Sequence, residues 1–368
     1  MDHNATAPVR PEVVQAVTAA LGLTGNASSV HGAGRAARCL IEDAREAVAC
    51  LASAAPAGVI FTSGGTEANA IALLGSSRKR LLVSAIEHPS ILAAASEAEI
   101  IPVTSAGVID LAALEEMLAR TSEPALVSVM AANNETGVIQ PVEAIARLAH
   151  AAGALFHCDT VQAAGRIAID LDLLGADMIS LSAHKIGGPQ GVGALVLAQG
   201  TDISAVLRGG GQERGRRAGT ENLPGIAGFG AAATAALDEV EAGAAAMQLR
   251  DQLEERIAAL APEARFFGAG APRLPNTSCF AVPGLAAETL LMAFDLEGIA
   301  LSSGSACSSG KVGKSHVLAA MGAGAAELAA AIRVSLGRGN TADHVGRFAD
   351  VLAQFLNRTG ARRILAAA

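Results

Sequence analysis

The chain has 368 residues, 51% of them hydrophobic, enough for one large and one smaller domain but not for a long array of modules. Trp and Tyr are absent and only 9 Phe are present, so alanine and small aliphatics must fill the core, and a nucleic-acid surface of stacked aromatics is disfavoured. The formal charge of -8, spread without long runs, argues against nucleic acid or an anionic membrane as partner.

Strand-like and helix-like patterns alternate along the first two thirds. Val59 to Thr62 reads as a strand, and Gly64-Gly65-Thr66-Glu67 opens a helix. Leu81 to Ser84 is the next strand, with a helix near Ser90 to Ala98. Ile100 to Val103 is a weaker, edge-type strand because of Pro102. Asp110 suits the N-cap of a helix over Leu111 to Arg120. Leu126 to Met130 is a fully apolar strand, and Pro141 and Gly153 bracket a helix. Leu155 to Cys158, Met178 to Leu181 and Ala194 to Leu197 complete the series. Continuous apolar runs between helices imply an α/β fold with a mostly parallel sheet covered on both faces.

After Thr220 the pattern changes. A long alanine-rich helical stretch runs from Ile226 to about Leu260, with room for one break. A strand over Thr277 to Val282, a helix near Glu288 to Leu296, strands near Ile299 to Leu301 and Ile332 to Ser335, and a helix from about Ala342 to Leu356 follow. They suggest a smaller α+β domain. Apolar windows break well before the ~18 residues of a transmembrane helix. Met1-Asp2-His3-Asn4 has neither a basic start nor an apolar stretch, so no secretory signal is expected.

The five cysteines are scattered and form no C-x-x-C pair, which excludes a disulfide framework and a zinc site and leaves the cytoplasm as the default compartment. Cys39, Cys50 and Cys279 read as core fillers, and Cys158 points into the sheet beside Asp159. Cys307, in Ser303-Gly304-Ser305-Ala306-Cys307-Ser308-Ser309-Gly310, is the one thiol in a small-residue segment that suits access and movement.

Five residue sets recur at the carboxyl ends of successive strands, where open α/β sheets bind ligands. Lys185 follows Asp177-Met178-Ile179-Ser180-Leu181 and the motif Ser182-Ala183-His184. Such a lysine is either a solvated surface residue or one that loses hydration at the end of a buried strand, which lowers its pKa and makes it a usable nucleophile for an aldehyde cofactor. Gly64-Gly65-Thr66 is either a phosphate cup or a helix-capping turn, and the missing lysine excludes a Walker loop. His88 either stacks on a flat ring or only bonds locally. Asn133-Asn134 is either a ring-binding pair or a turn. Asp159 either faces a ring nitrogen, with Gln162 near a ring hydroxyl, or caps a helix. Beyond these, the loop Arg208 to Asn222 either closes over an anion or is solvated. Arg333, flanked by apolar residues, takes either a substrate carboxylate or a structural ion pair.

Together these segments resemble the cysteine desulfurases of the NifS/IscS type, long-loop group, within the aspartate-aminotransferase-like fold. Matching stretches include Thr62 to Asn69, Ala132 to Gly137, Ser182 to Lys185, Arg217 to Asn222, Ser303 to Cys307, Ser315 to Leu318 and Ile332 to Arg338. The resemblance implies pyridoxal 5'-phosphate as cofactor, a large cofactor-binding domain over residues 10–240, and a small domain from residues 1–9 and 241–368. It implies that Lys185 carries the cofactor and moves protons at Cα, that Asp159 and Gln162 contact the ring, and that His88 stacks on it. Gly65, Thr66, Ser182 and His184 would hold the phosphate, with Thr220 reaching in from the second subunit of a homodimer. Asn134 would support cofactor and substrate, Arg333 would take the carboxylate of L-cysteine, and Cys307 would attack the substrate sulfur and pass it to an acceptor such as an iron–sulfur scaffold. Ala7, Gly188 and Ala218 depart from the usual pattern without removing a group this chemistry needs. A transaminase, a selenocysteine lyase, an idle scaffold and a nucleotide-binding module are the alternatives.

Overall fold

The computed structural model describes residues 1–241, 243–304 and 314–358. The chain begins with helices α1 (Pro11–Leu21) and α2 (Gly32–Leu51) and then alternates. In order come β1 (Val59–Thr62), α3 (Gly65–Gly75), β2 (Arg80–Ser84), α4 (Pro89–Ala94), β3 (Glu99–Ile101), α5 (Leu111–Ala119), β4 (Ala125–Ser128), α6 (Val142–Ala151), β5 (Leu155–Asp159), α7 (Leu171–Leu174), β6 (Met178–Ser182) and β7 (Gly193–Leu197). They build a seven-stranded sheet in the order β1-β7-β6-β5-β4-β2-β3. The pairs from β6 through β3 are parallel, whereas β7 runs antiparallel to both β6 and β1. The sheet is therefore mixed and mostly parallel. Strands β6 and β7 are buried at every residue, as a sheet covered on both faces requires.

Two apolar cores sandwich it. One gathers Val13, Ile41, Val48, Ile145 and Phe229; the other gathers Ile71, Leu73 and Ile91. The β3 strand lies at the sheet edge and stops before Pro102, which has no N–H to offer a neighbour. Asp110 caps α5 by accepting the Ala113 N–H at 3.0 Å.

The long helical stretch comprises α8 (Leu223–Glu241) and α9 (Gly243–Leu260). Beyond it lie β8 (Arg265–Phe266), β9 (Thr277–Ala281), α10 (Ala287–Leu296), β10 (Ser302–Ser303), α11 (His316–Ala320), α12 (Ala325–Ala330), β11 (Ala331–Ser335) and α13 (Ala342–Arg358). An antiparallel sheet, β10-β11-β9-β8, carries a separate core of Leu253, Phe280, Phe294, Phe348 and Leu352. The first residues of the chain join this sheet: Asp2 pairs with Ser335, and the His3 N–H donates to the Ser335 carbonyl at 3.1 Å.

Three expectations need correction. Helix α4 ends at Ala94, four residues early, because Ala95 leaves helical geometry (φ -122°, ψ 51°) and the chain turns into β3. The strand expected near Ile299 begins instead at Ser302. Gly298, at φ 72°, turns the chain out of α10, and the Ile299 N–H returns to the Phe294 carbonyl, sending Ile299 into the core. Cys39 and Cys50 are exposed rather than core fillers, since both lie on the outward face of α2, away from Ile41 and Val48. Cys158 and Cys279 are buried.

Candidate active site

The parallel strands all present their carboxyl ends at one edge of the large sheet. There a cavity of about 250 Å³ opens, lined by residues from both sheets and from the amino-terminal segment. It gathers Gly65, Thr66, His88, Asn134, Asp159, Gln162, Ser182, His184, Lys185 and Arg333, ten of the twelve residues singled out from sequence. Thr220 is exposed and is not among the lining residues. Cys307 lies outside the described residues. Its flanks are placed by β10 on one side and by Ser315, the N-cap of α11, on the other.

Lys185 stands one short turn after β6. Its Nζ donates to the backbone carbonyls of Asn4 and, at 3.0 Å, of Ala5. Asn4 is itself fixed from several sides. Its N–H donates to Ser335 Oγ at 2.9 Å, its Nδ2 to Thr277 Oγ1 at 2.9 Å, and its carbonyl accepts Gln162 Nε2 at 3.0 Å. The lysine amine therefore rests on a rigid strip of backbone that bridges the two sheets.

Asp159, the last residue of β5, has one oxygen on the Val161 N–H at 2.9 Å. The other accepts Asn69 Nδ2 at 2.8 Å. The same amide donates to Ser90 Oγ at 3.0 Å, and Ser90 Oγ meets His88 Nδ1 at 2.8 Å. The Ser90 N–H also points at Nδ1, at 3.1 Å. Nδ1 is thus an acceptor, which leaves the proton of the neutral ring on Nε2. Burial foremost lowers the His88 pKa, Lys185 and His316 add to the effect, and Asp159 opposes it, so the ring stays neutral near pH 7. His184 is pushed down to about 4 by burial and by Lys185.

The turn before α3 has the geometry of an anion cup. Gly64, the N-cap, sits at φ 151°, a region that only glycine enters easily. A Cβ on Gly65 would lie 2.9 Å from Val161 Cγ2, so a side chain there would crowd the cavity wall. Glu67 puts a negative charge in the first helical turn. Burial disfavours its ionisation, but hydrogen bonds from Arg217 and Ser63 outweigh this and hold the carboxyl below its ordinary range. Arg217 thereby cancels a charge that would repel an anion. Its loop is not freely solvated. Glu213 anchors it by a bidentate pair with Arg45, at 2.8 and 3.0 Å, and by the Phe61 N–H at 2.9 Å.

Arg333, in the middle of β11, is 1% exposed. Nη2 pairs with Asp2 at 2.7 Å and Nη1 donates to the Asn134 carbonyl at 3.0 Å. Of its two readings the structural ion pair is the one observed, and the residue also lines the cavity. Two buried carboxyls belong to the same region of the fold, and one of them, Glu135, feels the Arg333 charge. Glu87 accepts the Met130 N–H at 2.9 Å, and burial pushes its pKa well up. Glu135 accepts the Ser315 hydroxyl, and burial raises it to about 7 against the pull of Ser315 and Arg333.

Sequence reasoning gave no role to Asn69, Ser90, Asn4 or Asp2. Asn69 and Ser90 sit within motifs that were read, but the bridge they make joins residues 21 and 90 positions apart. Among the described residues no group of His, Cys, Asp and Glu is arranged to hold a metal ion, and no helix is long and apolar enough to cross a membrane.

The aminotransferase class-V family model matches residues 1–348. A cysteine desulfurase of Cereibacter sphaeroides is 44% identical, over 97% of this chain and 95% of that protein. The structure of a NifS-like protein from Rickettsia africae superposes with a TM-score of 0.90 at 36% identity, covering 97% of this chain and 98% of that one. A structure of SspA in complex with cysteine aligns at 29% identity with a TM-score of 0.78, over 91% of this chain and 97% of that one. A strand-end lysine, a buried carboxylate and a buried arginine on one cavity accord with these likenesses, and the chain belongs to the class-V aminotransferase family and, within it, to the cysteine desulfurases.

Proposed function

We propose that this chain is a pyridoxal-phosphate-dependent cysteine desulfurase that converts L-cysteine to L-alanine and a persulfide on Cys307. The observation that carries the reading is the set of polar groups left open on one cavity. Among the described residues Gln162 Oε1, Asn69 Oδ1 and Arg333 Nε are buried and meet no hydrogen-bond partner, and all three residues line it. An unsatisfied buried polar atom costs about 1–3 kcal/mol, so three together suit a wall built to meet a polar ligand. The residue set fits the cofactor. Gly65, Thr66, Ser182 and His184 would hold its phosphate, Asp159 its ring nitrogen, Gln162 its ring oxygen and Lys185 its aldehyde carbon. Bound there, the cofactor supplies an electron sink for the substrate Cα.

The residues do the rest. Arg333 binds the substrate carboxylate and Asn134 steadies it. Lys185 would take the Cα proton and could return one. His88, with its proton on Nε2, would pack against the ring and could exchange that proton with a sulfur or a nitrogen. Cys307, as thiolate, attacks the substrate sulfur: an S–S bond forms, the Cβ–S bond breaks, and its electron pair stays on carbon to be protonated on the way to alanine. A thiol of ordinary pKa about 8.5 needs only a modest downshift or a nearby base for this at pH 7.

The exposed position of Thr220 supports a homodimer in which that residue serves the partner's phosphate site. Residues 10–240 would form the cofactor domain and residues 1–9 with 241–368 the small domain. The enzyme would work in the cytoplasm and pass sulfur to an acceptor protein such as an iron–sulfur scaffold. The test is Cys307→Ser. The variant should keep the cofactor's absorbance and lose sulfide and persulfide formation from L-cysteine, while mass spectrometry of wild type shows one added sulfur on Cys307. Sulfur release by the variant at the wild-type rate would overturn the assignment.

A further inference from the structure

The guanidinium of Arg333 is occupied before any substrate arrives. It is 1% exposed and fixed at both ends, by Asp2 at 2.7 Å and by the Asn134 carbonyl at 3.0 Å. Asp2 is itself held. The backbone around it pairs with Ser335 in β11, and its second oxygen accepts the Ser302 hydroxyl at 2.8 Å. Neither oxygen of Asp2 is therefore free to swing away. Arg166 stands near enough to Arg333 for the two positive charges to repel, which makes a neutralising partner for Arg333 more necessary.

We infer that Asp2 is the resident counter-ion of Arg333 and a specificity-determining residue, which keeps the guanidinium in place in the free enzyme and weakens the site's hold on the incoming α-carboxylate. The inference rests on the reading that Arg333 receives that carboxylate. Two carboxylates on one guanidinium lie within about 4–6 Å of each other, and a charge at that range shifts an equilibrium by one to three decades. Asp2 thus sets substrate and product affinity low enough for release, at a point outside the cavity lining.

Asp2→Asn tests this because the amide keeps an oxygen for Nη2 and a polar group for Ser302 while removing the charge. Calorimetry on the holoenzyme compares L-alanine with L-alaninamide, which keeps the amine and lacks the carboxylate. The variant should bind L-alanine tenfold tighter or more, with alaninamide unchanged. Its thermal midpoint should rise more with saturating L-alanine than that of wild type, since the ligand carboxylate takes the place of Asp2. Equal or weaker L-alanine binding overturns the inference. So does equal tightening of alaninamide, or a variant that stays unfolded with L-alanine present. Wild type that fails to bind L-alanine at all would instead overturn the desulfurase reading beneath it.

Discussion

Breaking the Arg45–Glu213 pair should unfold the large sheet at lower denaturant. Both side chains are nearly sealed, at 4% and 3% exposure. Glu213 receives both Nη atoms of Arg45 and the Phe61 N–H, so Arg45→Met leaves a buried carboxylate with a single donor. That variant should lose about 4–5 kcal/mol, the upper part of the range for uncompensated buried charge. Glu213→Leu should cost less, about 3 kcal/mol, because Arg45 keeps Glu42 at 3.1 Å and the Val59 carbonyl at 2.7 Å. The double variant should cost less than either single change, since two apolar side chains replace the pair without stranding a charge. The chain has no Trp or Tyr, so urea unfolding is followed by circular dichroism rather than intrinsic fluorescence. Single variants that lose under about 1 kcal/mol, or a double variant whose loss equals the sum, would refute the reasoning. The consequence reaches the site because Glu213 anchors the loop that carries Arg217 and Thr220.

Glu135 gives a pH signature. Its carboxyl is raised from an ordinary 4.5 to about 7, so the unfolded chain ionises first as pH rises. The stability it contributes is fully present below about 4.5 and is lost as pH climbs through about 7. Glu135→Gln should flatten that part of a stability–pH profile, and an unchanged slope would count against the raised carboxyl. In a Cys307→Ser background, a thiol reagent should modify Cys39 and Cys50 in the native protein. Cys158 and Cys279, buried and with raised pKa values, should react only in denaturant; four native thiols would contradict the fold. Asn69→Ala should weaken cofactor retention measurably on dialysis, because it removes the donor common to Asp159 and Ser90. Retention equal to wild type would deny the bridge a role.

Residues that end a strand were legible in the sequence. An apolar run places its last residue at the sheet edge, so Lys185, Asp159 and His88 could be located by position alone. The choice between two readings of each was not legible. Arg333 could be ion-paired or ligand-facing, and its ion pair was hidden because Asp2 approaches from 331 residues away. Cys39 and Cys50 were misplaced because apolar neighbours along a helix do not say which face a residue occupies. The loop from Arg208 looked equally solvated and closed. Its anchor is a side-chain pair spanning 168 residues, and such contacts leave no local pattern.

The stitch made by Asn4 sets an order of events during biosynthesis. Its partners include Thr277 and Ser335, the latter 331 positions downstream. At about 5–20 residues per second, roughly 17–66 s of translation separate these ends. Until then the leading segment can reach only the wide sheet, through Gln162 and Lys185, and lacks its hold on the small one. Nascent chains released early would carry most of the wide sheet without the clasp that ties it to the small one, so that clasp closes only near the end of synthesis.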